Sequence, residues 1–259
     1  MTLNIGVIPV RMNSSRFPGK PLKKICKIPM LAHIYERVKN SEKLDKIYIA
    51  TCDREIAQYA KKIGAECIMT KRTHTRASDR VEESMRKIEM IVGKRVKNVV
   101  MIQGDEPLVY PEMIDNTISF LNRKDVGVTN IVTEIEKMSE WKNENLIKVL
   151  SDKDNNAIYF SRQPIPFLND FSKKHTLRQI CIIGFTRKMM KKFQLLPESN
   201  LEILESVDMN RFVENKIPIK LIYTKNKPFP VDTFADLKKI EKLMLKDELF
   251  MSYKKNFNV

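Results

Sequence analysis

Apolar and polar positions fall in blocks along the chain, and the period of the pattern changes from block to block. Ile5–Val10 is an unbroken apolar run, the pattern of a strand buried on both faces. A helical period follows near Met30–Ser41. Lys46–Thr51 predicts a second strand, and Asp53–Ile63 a helix with Asp53 at its N-cap and Gly64 just past its end. Ala65–Met69 predicts a third strand, Ser78–Ile91 a helix, and Asn98–Gln103 a fourth strand that ends at Gly104-Asp105-Glu106-Pro107. A further helix begins near Pro111. This alternation predicts an α/β fold, with a parallel sheet and helices on both faces.

After about Val126 the rhythm changes. Val126–Val132, Leu146–Leu150, Asn156–Ser161 and Gln179–Thr186 read as strands joined by short turns or polar loops. Antiparallel additions to the sheet are therefore expected. A helix at Leu201–Val213, a strand at Ile217–Tyr223 and a long helix from Thr233 close the chain. No repeat or low-complexity linker interrupts it, so the reading is one domain over residues 1–259 with an inserted subregion.

The first strand breaks into a loop that carries Arg11, Arg16 and Lys20 among Ser14, Ser15, Pro18 and Gly19. Three cations at a strand end are poor core material and a good polyphosphate clamp, and ligands of open α/β sheets sit outside the carboxyl ends of strands. The loop is not a Walker A motif: Ser14 stands where its first Gly belongs, and Pro21 follows the Lys. No GxGxxG occurs, so side-chain charge must carry more of the binding than a glycine cradle. Asp105 follows the fourth strand, and Asp232 follows the short extended stretch Phe229–Val231. An Asp before a helix is usually an N-cap, and Asp105 could equally stabilise its own turn. As a pair, the two are hard oxygen ligands suited to Mg²⁺ held between carboxylate and phosphate. The chemistry in view is phosphoryl or nucleotidyl transfer by positioning and electrostatics.

Composition narrows the alternatives. The formal net charge is +15, but the lysines are spread in pairs such as Lys61–Lys62, Lys173–Lys174 and Lys238–Lys239. That pattern predicts a solvated surface attractive to small anions, with no dedicated nucleic-acid face. No apolar stretch approaches the ~20 residues a membrane span requires. Met1–Asn4 runs directly into the first strand, so no signal peptide is expected. The four cysteines show no CxxC pairing, which fits a reducing, cytoplasmic setting.

At the same residues the chain resembles the cytidylyltransferases that activate 3-deoxy-2-ulosonic acids, the CMP-Kdo synthetases. The signatures are Pro9-x-Arg11-x-x-Ser14-Ser15-Arg16-Phe17-Pro18-Gly19-Lys20-Pro21-Leu22 and Gln103-Gly104-Asp105-Glu106-Pro107. Tyr159-Phe160-Ser161-Arg162 with Pro164 and Ile165-Pro166, Leu201-Glu202-x-x-Glu205, and Val231-Asp232-Thr233 complete them. The resemblance implies a nucleotide-diphospho-sugar transferase-like, Rossmann-like fold with a mixed, mostly parallel sheet. It implies a nucleotide part over about 1–125 and a sugar-acid and dimerisation part over about 126–230, in a homodimer. The implied reaction joins CTP and a sugar acid into a CMP-sugar and pyrophosphate. Arg11, Arg16 and Lys20 would hold the triphosphate, with Pro9, Ser14, Ser78, Arg80 and Gln103 around the nucleotide. Asp105 and Asp232 would hold Mg²⁺. Gln103, Arg162, Gln179, Ile183, Glu205 and Met209 would line the sugar-acid side.

The chain departs from the family pattern in two places. The nucleotide loop reads His74-Thr75-Arg76-Ala77-Ser78-Asp79-Arg80, with Ala77 where the family has Gly. On the sugar side, Gln179, Ile183 and Met209 stand where the family has His, Tyr and Gln. Each lost polar partner would cost a polyol roughly 1–3 kcal/mol, so the expected acceptor is Kdo or a less hydroxylated relative. Competing readings are a cytidylyltransferase for another small 2-keto acid or phosphonate, a transferase using another nucleoside triphosphate, a non-catalytic nucleotide sensor, and a basic nucleic-acid-binding protein. His33 reads as a packed helix residue and His175 as a loop residue; His74 matches a family position but could only shape its loop. Trp141 stands alone, and the methionines read as core fillers. Glu202 and Glu205 share one helix face, where they could cap or line the site.

Overall fold

The structure is a computed structural model and describes residues 2–13, 17–169, 171 and 176–257. The chain divides into two compact units. The first comprises Met1–Asp115 with Pro228–Val259, and the second Asn116–Lys227.

In the first unit, β1 (Leu3–Pro9), β4 (Lys46–Thr51), β5 (Glu66–Met69) and β6 (Val96–Ile102) form a parallel sheet in the order β6-β1-β4-β5. The apolar runs that predicted these strands are its interior: Ile5, Val7, Ile8, Ile49, Val99 and Val100 are fully buried. A short hairpin, β2 (Lys24–Ile25) and β3 (Ile28–Pro29), leads into α1 (Met30–Val38). Helices α2 (Arg54–Lys62) and α3 (Ala77–Val92) provide the crossovers, and α4 (Pro111–Leu121) follows β6. His33 lies wholly inside, between the Tyr253 hydroxyl and the Ile25 carbonyl, each 2.8 Å away. It is a satisfied core histidine, and burial drives its pKa down to about 4.

The long C-terminal helix expected from Thr233 is two helices, α9 (Phe234–Met244) and α10 (Glu248–Tyr253). Asp247 makes the break. Its carboxylate accepts from Phe250 N at 2.7 Å to cap α10 and receives Arg37 Nη1 at 2.6 Å.

The second unit holds β7 (Val128–Glu134), α5 (Met138–Trp141), β8 (Lys148–Ser151), β9 (Ala157–Ser161), β10 (Leu177–Thr186) and β11 (Lys220–Tyr223). β10 pairs antiparallel with β7 and β8, and β8 antiparallel with β9, as expected. β11 differs, joining β7 in parallel. The helix expected over 201–213 is also divided, after α6 (Arg187–Leu195), into α7 (Asn200–Glu205) and α8 (Asn210–Glu214). Ser206 turns left-handed at φ 52°, and Val207 N bonds to the Glu202 carbonyl at 3.2 Å, ending α7 at Glu205.

Candidate active site

The site in the first unit is built at the carboxyl ends of β1 and β6. Val10 N bonds to Ala50 O, and the Asp53 carboxylate accepts Met12 N at 2.7 Å. Asp53 thus sits at the start of α2 but spends its carboxylate on the loop after β1, pinning that loop's first turn. Gly19, at φ 70°, lets the chain turn back into the short 3₁₀ segment Lys20–Leu22. At the other strand end, a Cβ on Gly104 would lie 2.0 Å from Val10 Cγ1. Only glycine lets the β6 terminus pass so close to the β1 terminus, and that approach fixes where Asp105 lies.

Asp105 and Asp232 are far apart in sequence and close in space. Val231 N donates to Asp105 O at 2.9 Å and clamps the two segments together. The cap of α9 is Thr233, which forms a capping box with Asp236. The Asp232 main-chain N–H also bonds to Asp236, at 3.2 Å. Its carboxylate is therefore spared from capping and directed at Lys20. Lys20 Nζ stands 3.2 Å from Asp105 Oδ2 and 3.2 Å from Asp232 Oδ1. Burial opposes the charge on Lys20, but the two carboxylates outweigh it and hold its pKa above the ordinary lysine value.

A cavity of about 280 Å³ covers this cluster, lined by Pro9, Arg11, Lys20, Gln103, Asp105 and Asp232 among others. A second, of about 170 Å³, lies against Pro9, Val10, Arg11, His74, Thr75, Arg76, Ala77 and Arg80. Both share Pro9, Val10, Arg11 and Ala77, so they are neighbouring compartments. Arg80 is buried and donates to Thr70 Oγ1, and Ser78 is buried in the first turn of α3 without lining either cavity. Ser14 and Arg16 lie outside the described residues, as does His175.

The residues assigned to the sugar-acid side lie in the second unit. The Glu205 carboxylate accepts from Tyr159 Oη at 2.7 Å, Ser161 Oγ at 2.6 Å and Arg162 N at 2.8 Å. Burial opposes its ionisation, yet these bonds hold its pKa below the ordinary glutamate value. Arg162 donates to three main-chain carbonyls: Glu205 at 2.8 Å, Glu144 at 3.0 Å and Ser206 at 3.4 Å. Three of the five guanidinium N–H groups are thereby used. Gln179, Ile183 and Met209 are all buried, and the Gln179 amide donates to Asn130 Oδ1. Glu202 is fully buried, pairs in bidentate fashion with Arg211 at 2.6 Å for each contact, and accepts Ser199 N at 3.3 Å in the capping box of α7, so of the two expected roles it takes the cap.

Two residues escaped the sequence reading. Glu83 holds the loop before α3, and Lys148 is fully buried with its ammonium on the carbonyls of Asn143, Leu146 and Arg162. Glu83 left a trace, since Arg80, Glu83 and Lys87 recur at helical spacing on α3. Lys148 left none.

A family profile described as Cytidylyltransferase matches residues 5–246. The chain belongs to the cytidylyltransferase family. A 3-deoxy-manno-octulosonate cytidylyltransferase of Thermodesulfovibrio yellowstonii is 38% identical over 251 residues, covering 93% of this chain and 98% of that one. The protein of the same name from Zea mays is 36% identical, over 93% of this chain and 80% of its own. Among solved structures, a CMP:2-keto-3-deoxy-manno-octonic acid synthetase complexed with CTP superposes with a TM-score of 0.85 at 30% identity. That alignment covers 95% of this chain and 99% of that one. The resemblance read from the sequence signatures and the nucleotide-diphospho-sugar transferase fold both hold for this cytidylyltransferase. Among the described residues no helix is long and apolar enough to cross a membrane.

Proposed function

We propose that the protein transfers the cytidylyl group of CTP to a 3-deoxy-2-ulosonic acid of the Kdo type, releasing pyrophosphate. The observation that carries the reading is the Lys20 ammonium set between Asp105 and Asp232, in a cavity with Arg11 and Gln103. Arg11 and Lys20 neutralise the triphosphate, with Arg16 and Ser14 assigned by the signature alone. Pro9, Arg80 and Gln103 surround the nucleotide, with Ser78 assigned by the signature alone. The anomeric hydroxyl of the acceptor forms the new O–P bond at the α-phosphorus as the bond to pyrophosphate breaks in line. On the acceptor side we assign Gln103, Arg162, Gln179, Ile183, Glu205 and Met209.

The residues present fit Mg²⁺. Asp105 Oδ1 is buried with no hydrogen-bond partner, and the second carboxylate supplies further hard oxygen donors. Asp105 and Asp232 would hold the ion, which supplies charge neutralisation at the phosphates when bound. A homodimer is supported by Ile203, Leu204 and Ile158, which lie exposed on α7 and β9. Four free cysteines support a reducing, cytoplasmic setting.

A second reading concerns the acceptor. Ile183 and Met209 are apolar and buried, and the Gln179 amide is already committed to Asn130. These features favour an acid with fewer hydroxyls than Kdo. Pyrophosphate release, measured with CTP, UTP and ATP against a panel of ulosonic acids, tests both readings. CTP should be preferred, and Kdo proving the best acceptor with ordinary kinetics ends the second reading. Asp105→Asn should abolish turnover; an unchanged rate removes the assigned metal role.

A further inference from the structure

Helix α3 grips the loop that precedes it at several points. One carboxylate, Glu83 on its second turn, collects most of the grip. Glu83 is buried, and its Oε2 accepts Lys71 N at 3.0 Å and the His74 Nε2 proton. Its Oε1 faces Lys87 Nζ at 2.8 Å, and that ammonium also donates to Met69 O at 2.7 Å. Arg80, one turn earlier, donates to Thr70 Oγ1. The segment 69–74 is thus tied to the helix at its start, at Lys71 and at His74. Burial pushes the Glu83 pKa up, but the bonds from Lys87, Lys71 and His74 outweigh it and bring it to about 2. The tie is therefore ionised at neutral pH.

What this loop carries gives the tie its meaning. His74, Thr75 and Arg76 line the 170 Å³ compartment together with Pro9, Val10 and Arg11. The neighbouring compartment holds Lys20 and both aspartates. A nucleotide with its phosphates beside Lys20 therefore has its base end against the loop that Glu83 holds. Loop walls discriminate between bases only when their donors and acceptors are fixed to within a fraction of an ångström. Glu83 touches neither compartment; it acts through His74 and the Lys71 amide.

We propose that Glu83 is a positioning residue for base selection, holding the loop through Lys71 and His74 so that the wall next to Arg11 recognises the cytosine of CTP. The proposal rests on the nucleotide reading given above. It is separable from that reading, because Glu83 lies outside the groups assigned to the phosphates and the metal.

The experiment compares wild type, Glu83→Ala and Glu83→Gln in steady-state pyrophosphate release with CTP and with UTP. Glu83→Ala should raise KM for CTP by about tenfold, the loss of a charge-assisted hydrogen-bond pair, with kcat within about twofold of wild type. The preference for CTP over UTP in kcat/KM should fall by a similar factor, and KM for the acceptor should not move. Glu83→Gln keeps an acceptor oxygen for the loop and should recover part of the loss. It also serves as the test variant if Glu83→Ala does not fold. A Glu83→Ala enzyme, or Glu83→Gln where Glu83→Ala does not fold, with wild-type KM and wild-type preference overturns the proposal, as does a fall in kcat with KM unchanged. Calorimetric titration of wild type with CTP and UTP separates the two levels. No preference for CTP in the wild type sinks the nucleotide reading itself, whereas a clear preference that survives in Glu83→Ala sinks only the positioning role.

Discussion

Lys148 is the most exacting point at which to test the second unit. Its side chain is fully buried, and its ammonium rests on three carbonyl oxygens at 2.9, 2.8 and 2.5 Å. No carboxylate is among these partners. Burial lowers its pKa from 10.5 to about 8, with the nearby Arg162 adding to the effect. The native state therefore gives up this proton before the unfolded chain does. Below pH 8 both states carry the charge, and the native state bears the full cost of burying it. Between pH 8 and 10.5 that cost is relieved, so this group makes the native state more stable as pH rises. A difference of this size corresponds to about 3 kcal/mol across the whole window and about 1 kcal/mol by pH 9. Urea unfolding of wild type and Lys148→Met at pH 7, 8, 9 and 10 reads it directly, because other titrating groups largely cancel in the difference. The stability of wild type relative to Lys148→Met should climb over that range. A flat difference would refute the reasoning and mean that the three carbonyls fully replace the ammonium's hydration.

Other outcomes follow from the same kind of accounting. Arg211→Met leaves the buried Glu202 carboxylate without its bidentate partner, and denaturant unfolding should show a loss of about 3–5 kcal/mol. Gly104→Ala forces a methyl into Val10 and should cost about 1–3 kcal/mol together with most of the turnover; adding Val10→Ala should return part of the stability. His33 is neutral in the fold, with its pKa lowered from 6.5 to about 4, so its contribution is complete above pH 6.5 and is lost as pH falls toward 4. Unfolding of wild type against His33→Phe should show that acid limb in wild type only.

The parallel half of the fold was legible because strands buried on both faces must be continuously apolar, and Ile5–Val10 and Asn98–Gln103 are nearly so. Lys46–Thr51 coincides with β4 to the residue for the same reason. The helix over 201–213 was misread because its apolar spacing continues through the break. What divides it is the left-handed turn at Ser206, a choice made by the Glu202 carbonyl and Val207 amide and invisible to periodicity. The C-terminal helix failed in the same way at Asp247, whose capping role is fixed partly by Arg37, far off in the sequence. Asp105 and Asp232 could be chosen as a pair by residue type alone. That Thr233 takes the cap and spares Asp232 was in principle readable, since Thr233 and Asp236 have capping-box spacing. Lys148 was not readable, because a lysine in a strand ordinarily marks the solvent side; two of its acceptors lie in the loop just before it, but the third, Arg162 O, comes from beyond β9. Glu83 sat between the two cases: its stripe was visible, but the loop it holds was not.

The hydrogen bond from Val231 to Asp105 joins residues separated by nearly half the polypeptide. During synthesis, the sheet strands β1, β4, β5 and β6 are all available long before residue 232 leaves the ribosome. The strands of the first unit can pair early, but its carboxylate pair assembles only after residue 232 has been made. A chain stopped between α4 and Val231 would thus keep the four parallel strands and Asp105 but lack the second acid and the Val231 clamp that sets the pair.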